Sequence, residues 1–265
     1  LFNSFFIISF SIIKSLLTLL FDRPSLVVGM GGYSSFPICF AAFILRVKFI
    51  IYENNLIIGK SNKYLLPFAK KIFVSYNELE GISAKYKDKV IEVGNIVREE
   101  IINSNISNHS STSLDSLNIL VLGGSQAAKI FADEFPLIFK KLRDSKIKIK
   151  IYQQCHNSQN DQLSQFYKKA QMDFEIFNFT SNIIDYYSKS NLVITRSGAS
   201  VLGELVNLNI PFISIPLPTS ADNHQYKNAK FYAKKGYGNF LEEKDIKNKL
   251  YDLIVSTFND KSIIK

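Results

Sequence analysis

From residue 25 onward, short apolar runs alternate with longer stretches of helical periodicity. Residues 26–28, 48–52, 71–75 and 90–93 predict strands, and residues 37–45 and 61–69 predict helices between them. Strands that are apolar throughout, without alternation, belong to parallel sheets covered on both faces. Residues 99–117 break the rhythm, because the run from Asn103 to Ser113 is polar and poor in core formers, as a linker is. The pattern then restarts. Strands are predicted at 118–122, 148–153, 174–177, 192–195 and 212–215, and helices at 127–142, 161–170, 183–188, 201–208 and 223–235. The expectation is an α/β chain of two doubly wound domains, 1–98 and 118–265, joined by a linker at 99–117.

The opening stretch, LFNSFFIISFSIIKSLLTLLF, approaches the ~20 residues a bilayer span needs. Asn3, Lys14 and the serines interrupt it, and no small-residue cleavage site follows. A helix of the domain, a helix lying on a membrane surface and a true span all remain open, with a domain helix touching lipid preferred. Because the chain starts at Leu1 inside an apolar pattern, a fragment is expected.

Composition narrows the classes. With 46% hydrophobic and 21% charged residues, the chain can bury a core and is not globally disordered. Its 32 Lys+Arg against 23 Asp+Glu give a formal charge of +9. That fits phosphate or anionic-membrane partners, and equally a genome of biased base composition. Cys39 and Cys155 form no CxxC pair, which suits a reducing compartment. His109, His156 and His224 are too scattered for a zinc site.

Candidate chemistry falls at predicted strand ends, where open α/β sheets hold ligands. Gly123-Gly124-Ser125-Gln126 joins a strand to a helix, and such a turn lets backbone amides approach a phosphate. Thr195-Arg196-Ser197-Gly198-Ala199-Ser200 repeats the arrangement, with Glu204 further along the helix where a carboxylate can accept from ribose hydroxyls. Pro216-Leu217-Pro218 leads to Asp222-Asn223-His224-Gln225 at a third helix start. Gly29-Met30-Gly31-Gly32-Tyr33 and Tyr52-Glu53-Asn54-Asn55 follow strands in the first half. Taken singly, each motif is equally a turn, a helix cap or a surface charge. No Ser/His/Asp set or paired carboxylates support a hydrolase, and no nucleic-acid module is present.

In order, the motifs resemble one family over nearly the whole chain: VVGMGGYSSFP (27–37), YENN…GKSNK (52–63), VGNIVR (93–98), LGGSQ (122–126), TRSGAS..GE (195–204) and PLP…DNHQ..NA (216–229). It is the family of peptidoglycan glycosyltransferases that carry N-acetylglucosamine from its UDP carrier to undecaprenyl-linked muramyl-pentapeptide (lipid I), giving lipid II. The resemblance implies two Rossmann-like domains in the GT-B arrangement, the N-terminal one truncated. It further implies transfer with inversion, at the cytoplasmic face of the bacterial inner membrane, by a peripheral protein without cofactor or metal. Its expected partners are UDP-N-acetylglucosamine, the undecaprenyl-linked acceptor and an anionic membrane surface, with no nucleic acid.

Carried over residue by residue, the donor side comprises Asn55, Arg98, Ser125, Thr180, Arg196, Ala199, Ser200, Glu204, His224 and Gln225. Ser125 would contact phosphate, Thr180 uracil through its backbone, Glu204 the ribose, and His224 with Gln225 the sugar. Arg98 or Arg196 would offset the charge of the leaving diphosphate. Gly31, Gly32, Tyr33 and Glu53 fall on the acceptor side. The family's glycine-rich loop with its catalytic-base histidine has no counterpart here, so the catalytic residue is unassigned. Tyr52, Asn54, Ile96 and Ala127 stand where the family usually has His, Gln, Pro and Gly, and the chain stops before the family's final helices. Donor binding is thus expected ahead of turnover. A nucleotide-sugar binder without its own catalysis, or a GT-B transferase for another lipid acceptor, are the competing readings.

Overall fold

The computed structural model describes residues 2–104, 116–124 and 128–259, with side chains from residue 6 onward. Two compact units emerge, Leu1–Ile96 and Val97–Lys265.

The first unit runs α1 (Phe2–Asp22), β1 (Val27–Gly29), α2 (Gly32–Ile44), β2 (Phe49–Glu53), α3 (Lys60–Leu65), β3 (Ile72–Val74) and β4 (Val90–Glu92). Its four strands are parallel and lie in chain order, β1-β2-β3-β4. Ile51 and Ile72 pair in register at the centre of a core that includes Cys39, Ala41 and Leu65. α1 packs on α2 and buries Leu19, while Phe10, Leu17 and Phe21 stay exposed. Among the described residues, no helix is long and apolar enough to cross a membrane. α3 ends at Leu65, earlier than the expected residue 69, because Pro67 two residues on has no N–H with which to continue the helical ladder.

The second unit begins with α4 (Glu99–Ile102), inside the stretch expected to be linker. Ile101 is buried there and α4 packs on α8, so this one apolar anchor outweighs the polar run behind it. Residues 105–115, which include most of that polar run, lie outside the described residues. β5 (Leu117–Leu122), α5 (Lys129–Asp144), β6 (Ile149–Gln154), α6 (Asn160–Lys169), β7 (Asp173–Phe177), α7 (Ile183–Lys189) and β8 (Leu192–Thr195) follow. The unit closes with α8 (Ala199–Asn207), β9 (Phe212–Ser214), α9 (His224–Lys234), β10 (Asn239–Phe240) and α10 (Ile246–Asn259). β5 is buried nearly throughout, as a central parallel strand must be. In α5, Phe131, Phe135, Phe139 and Leu142 repeat at helical spacing and are buried; the Phe131 and Phe135 rings stack, and Phe139 meets Phe135 edge to face. β10 and α10 were not anticipated, although Ile246, Leu250 and Ile254 carry the i, i+4, i+8 spacing that marks a core-facing helix.

All six strands of this unit are parallel, in the order β10-β9-β8-β5-β6-β7. From the β7 edge this is the unit's third, second, first, fourth, fifth and sixth strand, the dinucleotide-fold order. It reverses between β5 and β8, and a ligand crevice opens beyond the carboxyl ends of the strands at such a reversal.

Candidate functional site

β5 and β8 end side by side, with Leu122 opposite Thr195. Beyond them lies a cleft of about 740 Å³, lined from the ends of β5, β6, β7 and β8. Gly124 turns the chain there with φ +77°, left-handed backbone that strains any residue with a Cβ. The Gln154 amide accepts from Gly123 N–H at 3.2 Å and donates to Asn178 O at 3.2 Å, tying the turns after β5 and β7 together. Across the cleft, α8 starts at Gly198, whose extended backbone offers no side-chain cap. The first-turn amides of an α-helix lack intrahelical carbonyls and sit at its positive end. A glycine turn facing a helix start is an anion cradle.

Two arginines line this cleft, and they are committed differently. Arg98 grips Glu204 with a fork: Nε donates to Oε1 and Nη2 to Oε2, each at 3.0 Å. Tyr187 donates its hydroxyl to the same Oε2 at 3.0 Å. The Glu204 hydrogen bond raises the Arg98 pKa above its ordinary value. Burial, then the charge of Glu204, pushes the Tyr187 phenol well up, so it remains a donor. Arg196 instead points its guanidinium into the protein. Nη2 pairs with Glu243 at 2.6 Å, Nη1 donates to Ile215 O and Pro216 O at 3.3 Å, and the guanidinium lies 4.6 Å from the Phe131 ring centre.

Of the expected donor residues, the structure brings Arg98, Thr180, Arg196 and Gln225 to the cleft wall. Arg196 needs a correction, because its charged head is spent on Glu243 and two carbonyls and only its stem faces Gly124. Of the two arginines, Arg98 is the one whose side chain stays half exposed. Ala199, Ser200, Glu204 and His224 are not among the described residues lining the cleft. Ala199 is buried under the helix start, and Ser200 is exposed. Glu204 is only 8% exposed. The Nδ1 of His224 donates to Ala221 O at 2.7 Å, which fixes the ring against its own loop. Gln225 accepts from Leu217 N–H at 2.9 Å, leaving its NH2 as the donor it can offer a ligand. Ser125, with Gln126 and Ala127, lies outside the described residues.

Asn55, Gly31, Gly32, Tyr33 and Glu53 all belong to the first unit. Tyr33 is 93% exposed beside two glycines of positive φ at the start of α2. Glu53 corrects its expectation, being a buried carboxylate that accepts four hydrogen bonds. Asn55 N–H and Nδ2 reach Oε1 at 3.1 and 3.0 Å; Gly59 N–H and Asn62 Nδ2 reach Oε2 at 2.8 and 3.0 Å. It organises the loop after β2 and has little capacity left for an acceptor. Sequence reasoning missed Tyr187, which a lone tyrosine in a helix does not announce, and Phe179, a cleft-lining ring 85% exposed beside Thr180. The second had a readable signal, since a large aromatic after a predicted strand seldom stays in solvent without a use.

Among the described residues, no group of three or more His, Cys, Asp or Glu could hold a metal ion.

Comparison with known proteins bears on this arrangement. Residues 118–262 match the glycosyltransferase family 28 C-terminal domain, and residues 1–74 match its N-terminal domain. The chain belongs to glycosyltransferase family 28. Two curated relatives carry the name UDP-N-acetylglucosamine–N-acetylmuramyl-(pentapeptide) pyrophosphoryl-undecaprenol N-acetylglucosamine transferase. One, from Pelagibacter ubique, is 35% identical over 97% of this chain and 71% of its own length. The other, from Rickettsia felis, is 36% identical over 97% of this chain and 74% of its own length. Among solved structures, Acinetobacter baumannii MurG superposes with a TM-score of 0.77 at 24% identity, covering 98% of this chain and 73% of that one. A UDP complex of S. aureus MnaA reaches 0.68 at 17%, covering 97% and 73%. At these identities the structural likeness speaks for fold alone, the α/β GT-B class. As a family 28 member this chain is a glycosyltransferase, and its nucleotide-fold cleft sits in the matched C-terminal domain.

Proposed function

We propose that this chain holds UDP-N-acetylglucosamine in the cleft of its second unit and transfers N-acetylglucosamine to the undecaprenyl-pyrophosphoryl-linked N-acetylmuramyl-pentapeptide. This converts lipid I to lipid II in peptidoglycan synthesis. The observation that carries the reading is the cleft at the β5/β8 reversal, flanked by the Gly124 turn and the start of α8. The diphosphate lies against those amides, uracil towards Phe179 and Thr180, the ribose towards Glu204, and the sugar towards Gln225 and His224. The acceptor's 4-hydroxyl attacks the anomeric carbon, its configuration inverts, and UDP leaves. Negative charge gathers on the diphosphate as that bond breaks, and the α8 terminus with Arg98 offsets it without a metal. Gly31, Gly32 and Tyr33 serve the acceptor. The exposed apolar side of α1, on a chain of net charge +9, supports peripheral binding to the anionic cytoplasmic face of the inner membrane.

Calorimetric titration tests the donor site. The wild type is expected to bind UDP-N-acetylglucosamine and UDP, and ADP much more weakly. Val201 lines the cleft at the third residue of α8. In Val201→Asp the new carboxylate suits the helix dipole and faces the diphosphate, so melting should hold while affinity falls about tenfold or more. No wild-type binding, equal ADP affinity or an unaffected variant would overturn the reading.

A further inference from the structure

We infer that Arg98 is a latch on Glu204, which the ribose hydroxyls of the donor release, handing the arginine's charge to the diphosphate. The inference rests on the donor site proposed above and adds how that site is closed when empty. Both oxygens of Glu204 already have donors: Arg98 takes Oε1 and shares Oε2 with Tyr187. Among the described residues, Arg98 lines the cleft and Glu204 does not. Three of the carboxylate's four acceptor positions are thus taken, and the two ribose hydroxyls, which need two, both reach it only when the fork lets go.

The two partners differ in freedom. Glu204 has a side chain 11% exposed, sits on α8 and is pinned by the buried hydroxyl of Tyr187. Arg98 has a side chain 48% exposed. Its backbone is fixed where α4 begins, since Ile101 N–H donates to its carbonyl at 3.0 Å and the Ile101 side chain is buried. The moving part is thus the guanidinium, swinging about a fixed Cα at the cleft wall. Tyr187 holds the carboxylate in place when Arg98 departs, which makes it a positioning residue.

The destination follows from charge. Arg196 is held by Glu243 and two carbonyls, so of the two cleft arginines only Arg98 can follow a ligand. Guanidinium prefers a fork onto carboxylate or phosphate, and a diphosphate replaces the contact that Arg98 gives up. A nucleoside without phosphate opens the latch and supplies no replacement. A nucleotide without ribose hydroxyls attracts the arginine and leaves Glu204 unpaired by ligand.

The test compares uridine, 2′,3′-dideoxyuridine and UDP by calorimetry on the wild type, Arg98→Met and Arg98→Lys. The latch predicts shifts of opposite sign in Arg98→Met: uridine tighter by about fivefold, UDP weaker by about fivefold, dideoxyuridine unchanged. Arg98→Lys, which keeps the charge and loses the fork, should tighten uridine by less and hold UDP near the wild type. Uridine and UDP weakening together, uridine unchanged while UDP weakens, or dideoxyuridine tightening as much as uridine would each overturn the latch. Wild-type protein that binds no UDP would instead sink the donor-site reading. Thermal melting of both variants separates a misfolded protein from an opened latch, and Arg98→Lys carries the test if Arg98→Met does not fold.

Discussion

At the carboxyl ends of β2 and β3 in the first unit, polar side chains bind one another; at the carboxyl ends of β5 and β8 in the second, they surround about 740 Å³ of open cleft. The first sheet keeps its strands in chain order, whereas the second reverses. Where order is kept, Tyr52 and Glu53 spend their hydrogen-bonding capacity on their own surroundings. Tyr52 Oη lies 2.9 Å from Ser75 Oγ and 3.1 Å from Asn54 Oδ1, and accepts from Ile96 N–H at 3.1 Å. Where order reverses, Gly124 and the residues at the start of α8, Gly198 and Val201, line an open cleft. Polar residues at strand ends therefore bind one another in one sheet and line an open cleft in the other.

The largest effect expected on this contrast comes from Glu53→Ala. It leaves four donors without their acceptor, two backbone and two side-chain, in a buried place. A loss of about 3 kcal/mol in stability is expected, read from the denaturant midpoint of the first unit. UDP affinity should not change. A stable variant would refute the scaffold role, and a variant that folds but loses UDP would place Glu53 in ligand binding after all.

Arg196→Met probes the other half and should cost about 2 kcal/mol, because the partly buried Glu243 loses its counter-charge. Methionine keeps an apolar stem against Gly124, so UDP affinity should fall less than twofold. If Arg196 instead carried the diphosphate, affinity would drop about tenfold while stability moved little.

This variant also marks how far the sequence could be read. The apolar runs legible as β2, β5, β6 and β8 became strands within a residue or two, because a parallel strand buried on both faces has few other ways to look. The Gly123–Gly124 turn and the start of α8 were legible for a related reason, being glycine-rich breaks between periodic segments. Arg196 was legible as a site residue and not as a staple, since its partner Glu243 is 47 positions away in sequence. Tyr187, Arg98 and Glu204 meet for the same reason only in three dimensions. Glu53, expected on the acceptor side from its place after a strand, is claimed by Asn55 close by and by donors six and nine residues further on, which the local pattern does not show. Local pattern finds elements and turns; which charge neutralises which is a property of the packed chain.

The smallest expected effect is kinetic and reads both units in one sample. Cys39 lies in the first core and Cys155 at the cleft floor of the second, both buried. Burial raises both thiols, Cys39 to about 11 from 9.0. A raised folded pKa contributes stability in full below pH 9, and that contribution is lost as pH rises through about 11. At pH 8 neither folded thiol is an effective nucleophile, so alkylation must wait for local opening. UDP at about ten times its Kd should slow Cys155 alkylation by up to about tenfold if the opening abolishes binding. Cys39 should react at its unliganded rate, since its sheet keeps chain order and holds no donor. Peptide-resolved alkylation kinetics decide it: equal slowing of both cysteines would mean that the two sheets do not differ in this way.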